Sequence, residues 1–238
     1  MRKQLLLAAT LLAGAGGVAM AQNAATYDPS QLPKIQGKVA EYSLTPRGDV
    51  DGLILTDGTE VHLPPHLGTQ LVYAVKPGDA VTIRGLKARA IPMVQAMSVK
   101  NDATGNTVTD NGVGGPPGPA DAQQPLSATG RIKAQLHGPR GDLNGALLED
   151  GTIIRLPPPE AERLAATLAV GATITVHGNG LDGPLGRVIG ARSIGPDATH
   201  LAQVAAPPPP GPGRRPPPPG GPGMPPPGPD APPPPGRT

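Results

Sequence analysis

Two matched triplets carry the most chemical potential in this chain. Arg47-Gly48-Asp49 and Arg140-Gly141-Asp142 each set a cation and an anion one glycine apart, and with Asp51 or Asn144 they outline a small polar site on an exposed turn. The plain alternative is that Pro, Gly and Asp are what a tight turn needs, the Asp side chain bonding its own backbone. Asp49-x-Asp51-Gly52 also suggests a calcium loop, with Glu60 where a bidentate glutamate would fall. Ile54 stands where such a loop demands glycine, however, and the second stretch has Ile153 in place of the glutamate. His62 and His66, in HLPPH, have a spacing that would serve one metal from a helix, but Pro64-Pro65 break that helix and the second stretch carries Arg155 and Pro159 there. No metal site is expected.

Catalysis would need a nucleophile beside a base, paired carboxylates in an apolar setting, or a phosphate-cradling glycine loop. None is legible. Ser98 and Ser193 correspond to each other but fall in strands, and the glycines lack the Gly-Lys-Ser ending of a phosphate loop. His137, His177 and His200 are expected as exposed single residues. The sequence argues against an enzyme, and no cofactor is expected. The ligand-contact candidates are Arg47, Asp49, His62, Arg140, Asp142 and Arg155, joined by Asn179, Asp182 and Arg187 in a glycine-rich segment that differs between two copies of one pattern.

That pattern is what must position them. Gly37 to Gly85 reappears without insertion or deletion as Gly130 to Gly178, and a fixed-period match reads as one supersecondary unit used twice. Asp57-Gly58 and Asp150-Gly151 sit between apolar runs, which predicts type I′ hairpins joining the second and third strands. The third strand sends Val61 and Leu63, or Ile154 and Leu156, to the core, leaving Glu60 and His62, or Ile153 and Arg155, facing outward. Pro64-Pro65 and Pro157-Pro158 stop it. A short helix follows, with Leu67, Leu71 and Val75, or Leu164 and Leu168, on one face. Glu160 and Glu162 suit its first turn, and Gly78 and Gly171 its end. Alternating strands then run over 79–85 and 93–99, and over 172–178 and 188–194. After the fourth strand, Leu86 to Pro92 becomes Asn179 to Arg187, a loop longer by two residues.

With first strands at 35–44 and 127–136, each unit runs β-β-β-α-β-β. Together with the DGT-x-x-x-LPP signature shared by the copies, this layout resembles the OB-fold, and is most similar to OB-fold domains of unknown function in exported bacterial proteins. The expected fold is all-β with short helices: two tandem five-stranded barrels over 34–101 and 127–196, a Gly/Pro-rich flexible linker over 102–126, and a disordered proline-rich tail over 197–238. The resemblance implies a ligand face on the outer side of the second and third strands, where Arg47, Arg140 and Arg155 would meet a small anion or oligosaccharide.

Arg2 and Lys3, an apolar run from Leu5 to Val18, and Ala19-Met20-Ala21 predict a signal peptide over 1–21, followed by a lead-in over 22–33. The run is too short to span a bilayer, so export to the periplasm or beyond, with no membrane span after cleavage, is expected. The absence of cysteine excludes disulfides, thiolate metal sites and a lipidated cysteine. A formal charge of +2 that falls to about zero without Arg2 and Lys3 argues against nucleic acid, as do the missing stacking platforms: the chain has three tyrosines, Tyr27, Tyr42 and Tyr73, and neither phenylalanine nor tryptophan. Any core must therefore be aliphatic. The tail, nearly all Pro and Gly from Ala205 onward, reads as polyproline II, serving as a spacer or as a docking segment for an envelope protein. A non-catalytic binding or adaptor module of the envelope is the expected function.

Overall fold

Strands rich in valine, isoleucine and leucine, separated by Asp-Gly and double-proline punctuation, close into two five-stranded barrels in the computed structural model, which describes residues 29–112 and 122–205. The expected signal peptide, most of the lead-in, the centre of the expected linker and the tail from Ala206 lie outside the described residues.

The first barrel runs β1 (Lys34–Leu44), β2 (Val50–Leu55), β3 (Glu60–His62), α1 (Gly68–Ala74), β4 (Ala80–Lys87) and β5 (Met93–Asn101), with an added strand β6 (Thr107–Thr109). The second repeats it as β7 (Gln124–His137), β8 (Leu143–Leu148), β9 (Ile153–Arg155), α2 (Pro158–Arg163), β10 (Thr173–Gly183), β11 (Gly186–Gly195) and the added β12 (Ala202–Gln203). In each, the long first strand pairs with the second along one half and the fourth along the other. A register shift beside Val39 or Ile132 turns it between the two partners. Parallel pairing of the short third strand with the fifth closes the barrel, at Glu60↔Met93 and Ile153↔Val188.

The interiors are aliphatic. Val39, Leu53, Leu55, Val61 and Leu63 fill the first barrel, and their counterparts Ile132, Ala146, Leu148, Ile154 and Leu156 the second, all buried. The helix plugs one end of each with Leu71 or Ala161. Tyr42, the buried aromatic among the described residues, donates its hydroxyl to the Val75 carbonyl at 2.8 Å.

Several expected details differ. Asp57 and Asp150 do not have positive φ; only the following glycines do, at 84° and 86°. Leu55 N–H bonds Thr59 O and Leu148 N–H bonds Thr152 O, both at 2.9 Å, so each hairpin is a three-residue loop with glycine at the left-handed position rather than a two-residue type I′ turn. The aspartates accept from Thr59 N and Thr152 N at 2.9 Å, which holds the loop open by one residue. In the second copy α2 ends at Arg163, and Leu164 and Leu168 reach the core from tighter turns beyond it, which leaves Glu160 alone in the first turn. Gly78 and Gly171, at φ 94° and 84°, bond back to Val39 O and Ile132 O, so they form the turn into the fourth strand rather than cap the helix. Strand β6 falls in the segment expected as linker and β12 in the segment expected as tail, each extending the sheet beyond the fifth strand.

The segment Asn179 to Arg187 is not a loop. Strands β10 and β11 continue as a paired ribbon through Asp182↔Arg187 to Gly183↔Gly186. Its glycines permit that pairing: a Cβ on Gly180 would lie 1.9 Å from the Val188 carbonyl oxygen. The ribbon reaches across to the first barrel, where Leu181 packs over Gly48.

The barrels are joined by the faces opposite their cores. Alternation along the strands turns Ile54, Glu60, His62 and Met93 out of the first barrel and Leu147, Ile153, Arg155 and Val188 out of the second. All eight are buried, and Leu136, Leu147, Ile153 and Val188 belong to the apolar cluster of the first barrel. The expected ligand face is the contact between the copies.

Candidate functional site

Two charged side chains on that shared face, Arg155 and Glu60, are hydrogen-bonded across it. Arg155, 4% exposed, donates from Nε to Leu44 O at 2.9 Å and from Nη2 to Ser43 Oγ at 2.9 Å, both in the other barrel, and from Nη1 to Asn144 Oδ1 at 2.8 Å in its own. Asp51 Oδ1 lies 3.8 Å from Nη2. A buried guanidinium is tolerated only with such a set, and removing one side of a buried charged pair costs about 3–5 kcal/mol.

Glu60, 2% exposed, answers from the first barrel. Its Oε2 accepts the His137 backbone N–H at 2.9 Å, and its Oε1 meets His137 Nδ1 at 2.8 Å. Burial alone would push this carboxyl up, but the His137 ring and backbone N–H, with His62 beside them, outweigh it and hold the carboxyl below its ordinary value. His62, also 2% exposed, stands with Nε2 3.7 Å from Glu60 Oε2, and neither of its ring nitrogens has a hydrogen-bond partner. Leu44 and His137 occupy the same position in the two copies, so the two networks are rough images of each other. His137, expected as an exposed single residue, is part of the joint.

The remaining candidates divide among separate places. Arg47 pairs with Asp49 at 3.4 Å, and the Asp49 carboxylate accepts from Thr45 Oγ1 at 3.3 Å, adding side-chain contacts to a turn already closed by Thr45 N–H to Asp49 O at 2.8 Å and Gly48 N–H to Thr45 O at 2.9 Å. Arg140 and Asp142 are 3.8 Å apart on the matching turn of the second barrel, with Arg140 largely exposed. Asp182 and Arg187 face each other at 3.6 Å across the ribbon, and Arg187 also donates to Ser127 O at 2.8 Å. The three arginines expected to share one face do not converge: Arg155 is inside the joint, while Arg47 and Arg140 sit on their own turns. Among the described residues no cluster of three or more His, Asp or Glu side chains is arranged to hold a metal ion.

Two concave surfaces border the joint. A cleft of about 640 Å³ lies where Pro46 of the first barrel approaches Arg155, Pro157, Asn179 and Arg192 of the second, with Val204 and Ala205 along its edge. With its amide oxygen and nitrogen exchanged, Asn179 donates to Gly178 O at 3.2 Å and accepts from Arg192 Nη2 at 3.1 Å, and Arg192 lines the cleft as a basic group. A second groove, of about 440 Å³, lies between α1 and the ribbon tip, with Asp49, His66, Tyr73 and Leu185 on its walls. Sequence reading found Arg155, Asn179 and Asp49 but missed Arg192, Tyr73 and Leu185, which carry no motif and become neighbours of the others only through the packing of the two copies. No family model, curated protein or solved structure matches the chain.

Proposed function

We propose that this chain is a non-catalytic, exported binding or adaptor protein of the bacterial envelope, built from two OB-fold-like barrels joined as one body, with its proline-rich tail as spacer or docking segment. One observation carries the reading. The face a lone barrel of this layout would offer a ligand is occupied by the second barrel, through Glu60, His62 and Arg155, which leaves the outer grooves and the tail as the surfaces for partners. In-cell crosslinking of the full chain and of a chain lacking residues 206–238 tests it. A partner captured by the first and lost from the second supports the docking role; equal capture by both assigns recognition to the barrels and the tail to spacing; no capture by either defeats the adaptor reading.

A small anionic ligand or oligosaccharide is the second reading, moved from the strand face to the 640 Å³ cleft, where Arg192 and Asn179 flank apolar prolines. Nucleic acid is disfavoured, since Tyr73 is the one exposed aromatic among the described residues.

A further inference from the structure

Tyr73 is 83% exposed in a chain nearly free of aromatic residues. The barrel does not require it, because the second copy has Ala166 at the matching position. Its ring separates two surface grooves: the one of about 440 Å³ walled by Pro65, His66, Val72 and Leu185, and one of about 360 Å³ lined by Gln70, Ala74, Asn106 and Val108. Leu185 is equally foreign to the duplication, standing at the tip of the ribbon where the second copy is longer. Two of the four large apolar side chains exposed among the described residues therefore meet at one groove, one from each copy, and neither is explained by the repeated fold.

An aromatic ridge between adjacent shallow grooves is the surface that polyproline II segments dock on, because fixed proline φ angles leave little entropy to lose. This chain carries a sequence of matching composition, Arg214-Arg215-Pro216-Pro217-Pro218-Pro219. Carboxylates lie beside the groove: Asp49, paired with Arg47 at 3.4 Å, is on its rim, and Asp110 lies 4.0 Å from the His66 that lines it. The tail also starts close by. Ala205 edges the same cleft as Pro46, and Gly48 and Asp49, on the same turn, line the Tyr73 groove. If fully extended at roughly 3.1 Å per residue, the nine residues after Ala205 would carry Arg214 at most about 28 Å from it. A short tether of that kind gives an effective concentration of order millimolar, so a weak contact is enough to keep the groove filled.

We propose that the paired grooves about Tyr73 are a polyproline-docking site, occupied in the free protein by the Arg214–Pro219 segment of the same chain. That occupancy goes beyond the adaptor role and does not depend on it.

The full chain tests this directly. Because it has no cysteine, Gly220→Cys gives a single site for a nitroxide label, read by paramagnetic broadening of amide signals. Amides of Thr69, Val72, Tyr73 and Leu185 are expected to be broadened, and signals on the far side of the second barrel to be spared. Tyr73→Ala, at an exposed position that leaves the remaining spectrum unchanged, is expected to restore Thr69, Val72 and Leu185, as is the paired Arg214→Glu and Arg215→Glu variant. Broadening that is evenly spread, centred elsewhere, or indifferent to Tyr73→Ala overturns the proposal. So does broadening seen only when a spin-labelled chain is mixed with a separate isotope-labelled one, since the occupant would then be a second copy. The readout uses isolated protein, so it stands or falls apart from any envelope partner.

Discussion

Glu60 and Ile153 hold the same position in the two copies and meet the same joint with opposite chemistry. The carboxylate is kept there because two hydrogen bonds from His137 are worth more than its hydration, and the same bonds make the joint sensitive to acid. Its pKa is lowered in the folded protein from an ordinary 4.5. A lowered carboxyl stabilises the fold while ionised, so its contribution is complete above about pH 4.5 and is lost as pH falls through the lower folded value. Urea midpoints measured from pH 7 to 3 should drop in that acid window, and Glu60→Gln should flatten the drop while lowering the midpoint at pH 7; parallel curves for the two proteins would remove Glu60 from the account. At this scale the sequence was half legible. Strand alternation sorted Val61, Leu63, Ile154 and Leu156 correctly to the cores, but it left Glu60, His62 and Arg155 facing outward on an expected ligand face, and they are buried. A signal existed: Leu53-Ile54-Leu55, Ala146-Leu147-Leu148 and Ile153-Ile154 do not alternate, as strands buried on both faces do not.

At the scale of elements, glycine does two jobs that look alike in sequence and differ in consequence. Gly58 supplies the left-handed residue of the β2–β3 loop, and a Cβ there would meet nothing within 4 Å. Gly52, in the adjoining strand, has its Cβ position 2.0 Å from the Val61 carbonyl oxygen, so no side chain fits without parting β2 from β3. Gly58→Ala should therefore cost about 1–2 kcal/mol, the price of left-handed backbone for an L-residue. Gly52→Ala should cost distinctly more and open the barrel seam, seen as faster amide exchange along β3; equal losses for the two variants would contradict the close approach. Turn glycines announce themselves beside aspartate, which is why both hairpins were found, though their loop length depended on side-chain bonds from Asp57 and Asp150 that dipeptide preference does not encode. Strand glycines give no such signal. The run Gly178, Gly180, Gly183, Gly186 and Gly190 reads as loop by composition, and only the close backbone contact that glycine permits reveals a ribbon.

For the whole molecule, the duplication supplies two cores that are each marginal alone and a joint that makes them one. A barrel of about 70 residues with an aliphatic core buries too little surface to be secure by itself. Here the outer faces are buried as well, with Leu136, Leu147, Ile153 and Val188 of the second barrel in one cluster with Leu44 and Ile54 of the first. Arg155 and the Glu60–His137 pair fix the register of the two barrels, because a slip along the interface would strand a buried charge without its partners. The connecting segment then has little to do with holding the halves together. A protease site placed within residues 113–121 should yield, after cleavage, two fragments that co-elute by gel filtration and unfold in a single transition near that of the intact chain, shifted only by the loss of tethering. Arg155→Ala in the cleaved protein should let the fragments separate, because it leaves Leu44 O and Ser43 Oγ buried without a donor. Fragments that elute apart while each retains its sheet signal would mean that the two barrels are stable independently and that the shared face is incidental.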